Sequence, residues 1–165
     1  MGKNNMDIVK INALKKSPLA TELDDAQCAG LASLLTLRSL GDGEILLHEG
    51  HADANLYGII SGHLVVTRDT GGGNWVDLHI LNTGDLAGEL GFVDRQARTA
   101  TLRATGATEV FSLNRVEFEA LVASQPLLVY RVMRAIIRTV HAIVGRMNMQ
   151  HVEMTNYINR QHGKY

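Results

Sequence analysis

Residues 84–101 read GDLAGELGFVDRQARTAT and concentrate the groups that could do chemistry. Glycines let backbone N–H groups approach a ligand closely. A short turn rich in N–H groups cradles an anion, the better where it opens a helix. Arg98, followed by the hydroxyl of Thr99, supplies a planar fork that fits two phosphate oxygens. Glu89, between Gly88 and Leu90, would repel a phosphate and must face another part of the same ligand. An ionised carboxylate only accepts hydrogen bonds, so a hydroxyl pair on a sugar suits it. The stretch asks for a molecule with one phosphate and one free ribose hydroxyl. The plainer alternative is a structural ion pair between Glu89 and Arg98 at a strand turn.

The elements that must position these groups follow from periodicity. Residues 1–36 read as an N-terminal helical segment: a frayed polar start, a short helix with Ile8, Ile11 and Leu14 on one face, a break at Ser17-Pro18, and a helix over 25–36 capped by Asp24 or Asp25. From Leu37 the pattern becomes short β-like runs punctuated by glycine and Asx: TLRSL, EILLH, NLYGIIS, HLVVTRD, NWVDLHIL, TATLRA and TEVFSLN. Many short, evenly spaced strands indicate a sandwich, jelly roll or barrel over 37–114. Residues 115–158 return to helical spacing, with a short helix after Ser112 or Asn114 and a long one opened by Pro126. Residues 159–165 read as a frayed tail.

The long helix carries Val129, Met133, Ile136, Val140, Ile143, Met147 and Met154 in steps of four and three, with Gln150 in the gap. Val132, Ile137 and Val144 form a second apolar line beside it. The economical arrangement packs one line on the chain's own β domain and the other on a symmetry mate. Arg131, Arg134 and Arg138 read as a solvated basic face.

Composition removes several classes. The 165 residues carry a net charge of −1 and are 45% hydrophobic, enough for a real core and less basic than a nucleic-acid-gripping surface requires. A single cysteine, Cys28, excludes an internal disulfide framework and reads as a packing residue; this usage fits a reducing cytoplasm. No apolar run approaches the ~20 residues that span a bilayer. No Gly-x-Ser-x-Gly elbow supports nucleophilic catalysis. A metal-dependent, cupin-like enzyme is the weak alternative: His48 and His51 have two residues between them, which on an extended strand turns them to opposite faces. The expectation is a non-enzymatic protein with no metal and no cofactor.

Several motifs occur in order: Gly43-Glu44-Ile45 with Glu49-Gly50; Asn55-Leu56-Tyr57 with Ser61-Gly62; Gly84-Asp85; Gly88-Glu89-Leu90; and Arg98-Thr99-Ala100-Thr101. On these the chain, from about Leu14 to Val144, resembles the cyclic nucleotide-binding domains. That family includes the catabolite activator protein and related Crp/Fnr sensors, the regulatory subunits of cyclic-nucleotide-dependent kinases, and cyclic-nucleotide-gated channels. The resemblance implies an eight-stranded jelly roll with a phosphate-binding cassette over residues 84–99, followed by a long helix. It implies that Glu89 accepts the ribose 2′-hydroxyl and that Arg98 pairs with the cyclic phosphate. Backbone N–H groups near Gly88, Leu90 and Thr99 complete the cradle, and Val66 and Leu78 line an apolar wall. Ile143 and Val144 fall where the catabolite activator protein reads adenine with polar groups, and Thr99 resembles the threonine of cGMP-responsive members. The resemblance therefore implies cAMP or cGMP as the ligand.

The one long helix from Pro126 and the tail after it leave no room for the helix-turn-helix that follows in transcription factors of this family, so no direct DNA binding is expected. The chain reads as a free-standing sensor or as a segment of a longer protein. Its partners would be a cyclic nucleotide, a second copy through the long helix, and an effector protein, with no membrane. The alternative from another class is a ligand-free dimerisation or scaffold module of the same fold.

Overall fold

Alternation along the strands gives the sheet two apolar faces, and the fold is the way both are covered. The structure, a computed structural model, describes residues 2–162, with side chains for residues 5–160. Helix α1 (Gly2–Lys15), a 3-10 turn at Pro18–Ala20 and α2 (Asp25–Ser33) lead into the sheet. Asp24 starts α2 with a capping box: its carboxylate accepts from the Gln27 N–H, and the Gln27 side chain accepts from the Asp24 N–H. The strands are β1 (Leu35–Leu40), β2 (Ile45–Leu47), β3 (Asn55–Asp69), β4 (Trp75–Leu81), β5 (Leu86–Ala87) and β6 (Thr101–Asn114). Helices α3 (Glu89–Asp94), α4 (Arg115–Glu119) and α5 (Pro126–His162) complete the chain.

The sheet is antiparallel, in the order β1-β6-β3-β4, with β2 also on β6 and β5 on β3. One face, including Leu56, Phe111 and Leu113, packs under the helices with Leu14, Leu31, Leu128 and Val132. The other face curls on itself and buries Tyr57, Ile59, Leu64, Leu102 and Val110. Gly58 is the point of closest approach, because a Cβ there would lie 2.1 Å from the Phe111 ring.

Six strands form where eight are expected. NLYGIIS and HLVVTRD fuse into β3, and TATLRA and TEVFSLN into β6. Gly62 and Gly106 take positive φ of 82° and 70° within these strands. A glycine inside a strand can bend it or seat a bulge without ending it, and the β3–β6 register shifts on both sides of Ser61. The short strand β5 at the cassette entrance has no expected counterpart.

The helices also differ in detail. Helix α1 is already formed at Gly2, with Ile8 exposed and only Ile11 and Leu14 of its expected face packed inward. Helix α2 ends at Ser33 and β1 starts at Leu35, earlier than the change of period at Leu37. Helix α5 continues past Asn159 to His162, and the rest of the expected tail, residues 163–165, lies outside the described residues.

The two apolar lines of α5 do not divide between two bodies as expected. Leu128, Val132, Ala135 and Ile136 are buried together against the chain's own domain, so one face draws on both lines. A globular interface needs an apolar stripe roughly 100° wide, broader than either line alone. Beyond Ile136 no described residue of α5 is buried, and Ile137, Val144, Met147 and Met154 are exposed. Among the described residues no helix is long and apolar enough to cross a membrane.

Candidate functional site: a buried arginine in a glycine-lined cassette

Strand β5 pairs with Tyr57 and Gly58 of β3, and the chain must then turn sharply into α3. Gly88 makes that turn with a left-handed φ of 80°. Space as well as conformation demands glycine here. A Cβ at Gly88 would lie 2.5 Å from Arg98 Nη1, and one at Gly91 would lie 2.8 Å from the same atom. The glycines of the cassette thus open the volume that the guanidinium fills.

Arg98 is tied down by both backbone and side chain. Its N–H donates to the His51 carbonyl at 3.0 Å, and its own carbonyl accepts from the Gly50 N–H at 2.7 Å. The side chain is buried, at 6% exposure. Nη1 donates to the Gly88 carbonyl at 2.6 Å. Nη2 donates to the Asn55 carbonyl at 2.6 Å, the Asp53 carbonyl at 3.1 Å and the Asp53 carboxylate at 3.0 Å. Nε is buried with no hydrogen-bond partner among the described residues.

Asp53 is the counter-ion, and its own geometry is fixed. The carboxylate accepts from the Asn55 N–H at 2.6 Å and from the Tyr57 hydroxyl at 2.9 Å. Burial, reinforced by the hydrogen bond to Asp53, pushes the Tyr57 hydroxyl up to about 12. Tyr57 therefore stays a neutral donor to Asp53 across the physiological range. The arginine's ion-pair partner is Asp53 and not Glu89, which corrects the structural pairing considered from sequence.

Glu89 opens α3 and is partly buried. Burial raises its carboxyl above the usual glutamate range, while its own backbone N–H and the Arg98 charge pull the other way. The first N–H groups of a helix have no acceptor within it, so the α3 entrance offers backbone donors beside a buried cation and a carboxyl. Such an arrangement can grip an anion and, a short distance away, a hydroxyl.

The other expected residues are placed less uniformly. Leu90 follows on α3 with its side chain 54% exposed, and Thr99 is exposed just after Arg98. Val66 packs on the inner core of the roll. Leu78 is the extra residue of a bulge, since Val66 pairs with His79 and Thr67 with Asp77; its side chain is exposed and does not share the Val66 core. Ile143 and Val144 lie about two turns beyond the last buried residue of α5, one partly and one largely exposed, and neither belongs to a core cluster. Sequence reading missed Asp53 and Asn55 as the residues that hold Arg98, and Tyr57 as the one that holds Asp53. The one local signal was the Asn55-Leu56-Tyr57 motif, and nothing local links it to an arginine 43 residues later.

The histidines need one correction. Residues 48–51 form a turn, in which the His51 N–H donates to the His48 carbonyl, and not an extended strand. The two rings therefore lie 5.5 Å apart instead of on opposite faces. With Glu49, Asp69, Gly71, Trp75 and Thr101 they line an open cavity of about 460 Å³. Among the described residues no group of three or more His, Cys, Asp or Glu side chains could hold a metal ion.

Comparison with known proteins decides the family. Residues 37–125 match the cyclic nucleotide-binding domain. The chain belongs to that family. It is 29% identical over 111 residues to the cAMP-dependent protein kinase regulatory subunit of Dictyostelium discoideum, covering 66% of this chain and 34% of that protein. It is 30% identical over 115 residues to the cAMP-activated global transcriptional regulator CRP of Salmonella typhimurium, covering 68% of this chain and 55% of that protein. The chain thus spans about a third and about half of the two relatives. A cyclic nucleotide-binding domain from Methylobacillus flagellatus has the same fold, with a TM-score of 0.80 at 19% identity, covering 91% of this chain and 84% of that one. Within the family fold described here, the Gly88-Glu89-Leu90 turn, Arg98 and the segment from Asp53 to Tyr57 form one connected site.

Proposed function

We propose that this chain is a sensor that binds cAMP or cGMP in the cassette and signals through α5 to a protein partner. The observation that carries the reading is Arg98: a buried guanidinium seated against the Gly88 carbonyl, in space that only glycines leave open, with its Nε unpartnered among the described residues. A cyclic phosphodiester brings one negative charge, which one arginine balances. A linear nucleotide brings more charge into the same small volume. Gly88, Leu90 and Thr99 supply backbone donors, and Glu89 takes the ribose hydroxyl, a partner that offsets the cost of burying its charge. Val66, Leu78, Ile143 and Val144 are assigned to the base, which they can pack against but whose edge they cannot read. The relatives named for cAMP support the ligand class.

The output follows from the exposed part of α5. Its unburied Ile137, Met147 and Met154 are assigned to a second copy of the chain in a homodimer. Nucleotide binding draws the cassette inward and shifts α5 between two arrangements, one of which the effector protein recognises. Isothermal titration with cAMP, cGMP and AMP tests the reading. Saturable heat from a cyclic nucleotide and none from AMP at the same concentrations is expected; no heat from either cyclic nucleotide, with folded protein, refutes it.

One observation favours a second reading, a ligand-free dimerisation module. Asp53 already neutralises Arg98, and both terminal nitrogens of the arginine have protein acceptors. On that reading Arg98 is a structural brace, and Arg98→Leu lowers stability without removing any binding activity.

A further inference from the structure

Two buried side-chain nitrogens lack a hydrogen-bond partner among the described residues: Arg98 Nε and Arg115 Nε. The first lies in the cassette. The second belongs to the opening residue of α4. The backbone N–H of Arg115 donates to the Ala54 carbonyl at 2.9 Å, within the segment whose neighbours Asp53 and Asn55 hold Arg98. Its side chain, 16% exposed, reaches across to α3, where Nη1 donates to the Gly91 carbonyl at 3.3 Å. Arg98 and Arg115 therefore brace the same short helix to the same segment. One grips it at Gly88 and the other one turn later at Gly91.

The far end of α3 is held by the same group of residues. Arg95 caps the helix in a left-handed conformation with φ 63°, the single non-glycine residue with positive φ among those described. That conformation is unfavourable for an L-residue with a Cβ and persists where its surroundings hold it. The Arg95 N–H donates to the Gly91 carbonyl at 3.2 Å, so that carbonyl receives both Arg95 and Arg115. Arg95 Nη2 donates to the Glu119 carboxylate at 3.3 and 3.4 Å. The same carboxylate lies 3.9 Å from Arg115 Nε, too far for a hydrogen bond and near enough to form one after a small shift.

We propose that Arg115 is a positioning residue for the nucleotide cassette, and that with Glu119 and Arg95 it forms a clasp coupling the position of α3 to α4. This rests on the cassette being the cyclic nucleotide site. Arg115 acts through the Gly91 carbonyl and touches no ligand. It keeps α3 aligned so that the Gly88-Glu89-Leu90 donors stand in place beside Arg98. Glu119 stands between Arg95, which caps α3, and Arg115 on α4, so a movement of α3 redistributes it between them. Helix α4 leads through one short turn into α5, which places the clasp at the start of the output path.

The test compares the wild-type chain with Arg115→Lys, Arg115→Ala and Glu119→Gln. The readouts are cAMP and cGMP affinity by titration, and amide exchange over residues 88–98 in the nucleotide-free chain. Arg115→Ala is expected to weaken binding about tenfold, the scale of one charge-assisted hydrogen bond, and to speed exchange over α3. Arg115→Lys keeps one donor for the Gly91 carbonyl and is expected to restore much of both. A role confined to overall stability is the contrary result: Arg115→Ala then melts earlier but keeps wild-type affinity and wild-type α3 exchange. If wild type binds neither nucleotide, the proposed ligand fails, and exchange alone decides the clasp: faster in Arg115→Ala supports it, unchanged overturns it. Should Arg115→Ala not fold, the surface change Glu119→Gln decides, with about threefold weaker binding or faster exchange near Arg95 expected and unchanged values refuting.

Discussion

The cassette and the outer half of α5 treat their side chains in opposite ways. In the cassette a charged group is drawn inside, and both its terminal nitrogens find acceptors at Gly88, Asp53 and Asn55. On α5 beyond Ile136, apolar groups such as Met147 and Met154 stand more than half exposed. A buried ion needs partners at once, because an unpaired charge in the interior costs several kcal/mol. Exposed apolar surface costs less and can wait for a partner. The first region therefore completes its geometry within one chain, and the second leaves apolar surface exposed.

The sharpest way to break this contrast is Arg98→Leu. It removes the cation while keeping an apolar side chain, and it leaves Asp53 without its ion pair. Nucleotide affinity should fall by ~3–5 kcal/mol, read by titration. Next in size is Ile136→Ala, at the last buried position of α5, with an expected loss of ~2–4 kcal/mol in denaturant unfolding. Met147→Glu lies three turns further along the same helix and is exposed. It should change stability by no more than about 0.5 kcal/mol, yet shift sedimentation from dimer to monomer. If Met147→Glu instead matches Ile136→Ala in stability, α5 is one intramolecular element and the contrast disappears.

The smallest effect is that of pH on Glu89. Its carboxyl is raised in the free chain, mainly by burial. A raised carboxyl favours folding below the ordinary glutamate value, and that contribution is lost as pH rises through the raised one. Glu89→Gln should therefore melt slightly higher than wild type at neutral pH in the absence of nucleotide. A ribose hydroxyl donating to the ionised form lowers the carboxyl again in the complex, so binding releases a proton. Affinity should rise with pH up to the free chain's raised value and then level off, and Glu89→Gln should flatten that profile.

Much of this was legible in the sequence because its signals were local. Gly88, Glu89 and Arg98 lie within eleven residues, and the structure brings Gly88 and Arg98 into contact beside Glu89. The strand runs were legible too, but their fusion was not. Gly62 and Gly106 look like terminators in sequence, and only the paired register shows that they bend strands which continue. Asp53 escaped notice because its pairing with Arg98 spans 45 residues and depends on the turn after β2 meeting the segment that leads into β6. The α5 pattern misled for a different reason. Steps of three and four look alike in a two-stranded seam and in the wider stripe of a packed helix, and Val132 with Ile136 belongs to the second kind.

The most direct measurement is equilibrium dialysis of the full chain against labelled cAMP and cGMP, with wild type and Arg98→Leu side by side at equal folded concentration. One cyclic nucleotide bound per wild-type chain, and none in Arg98→Leu over the same range, is the predicted result. Equal binding by the two proteins, or none by either, would contradict the assignment of Arg98 as the anchor of a nucleotide site.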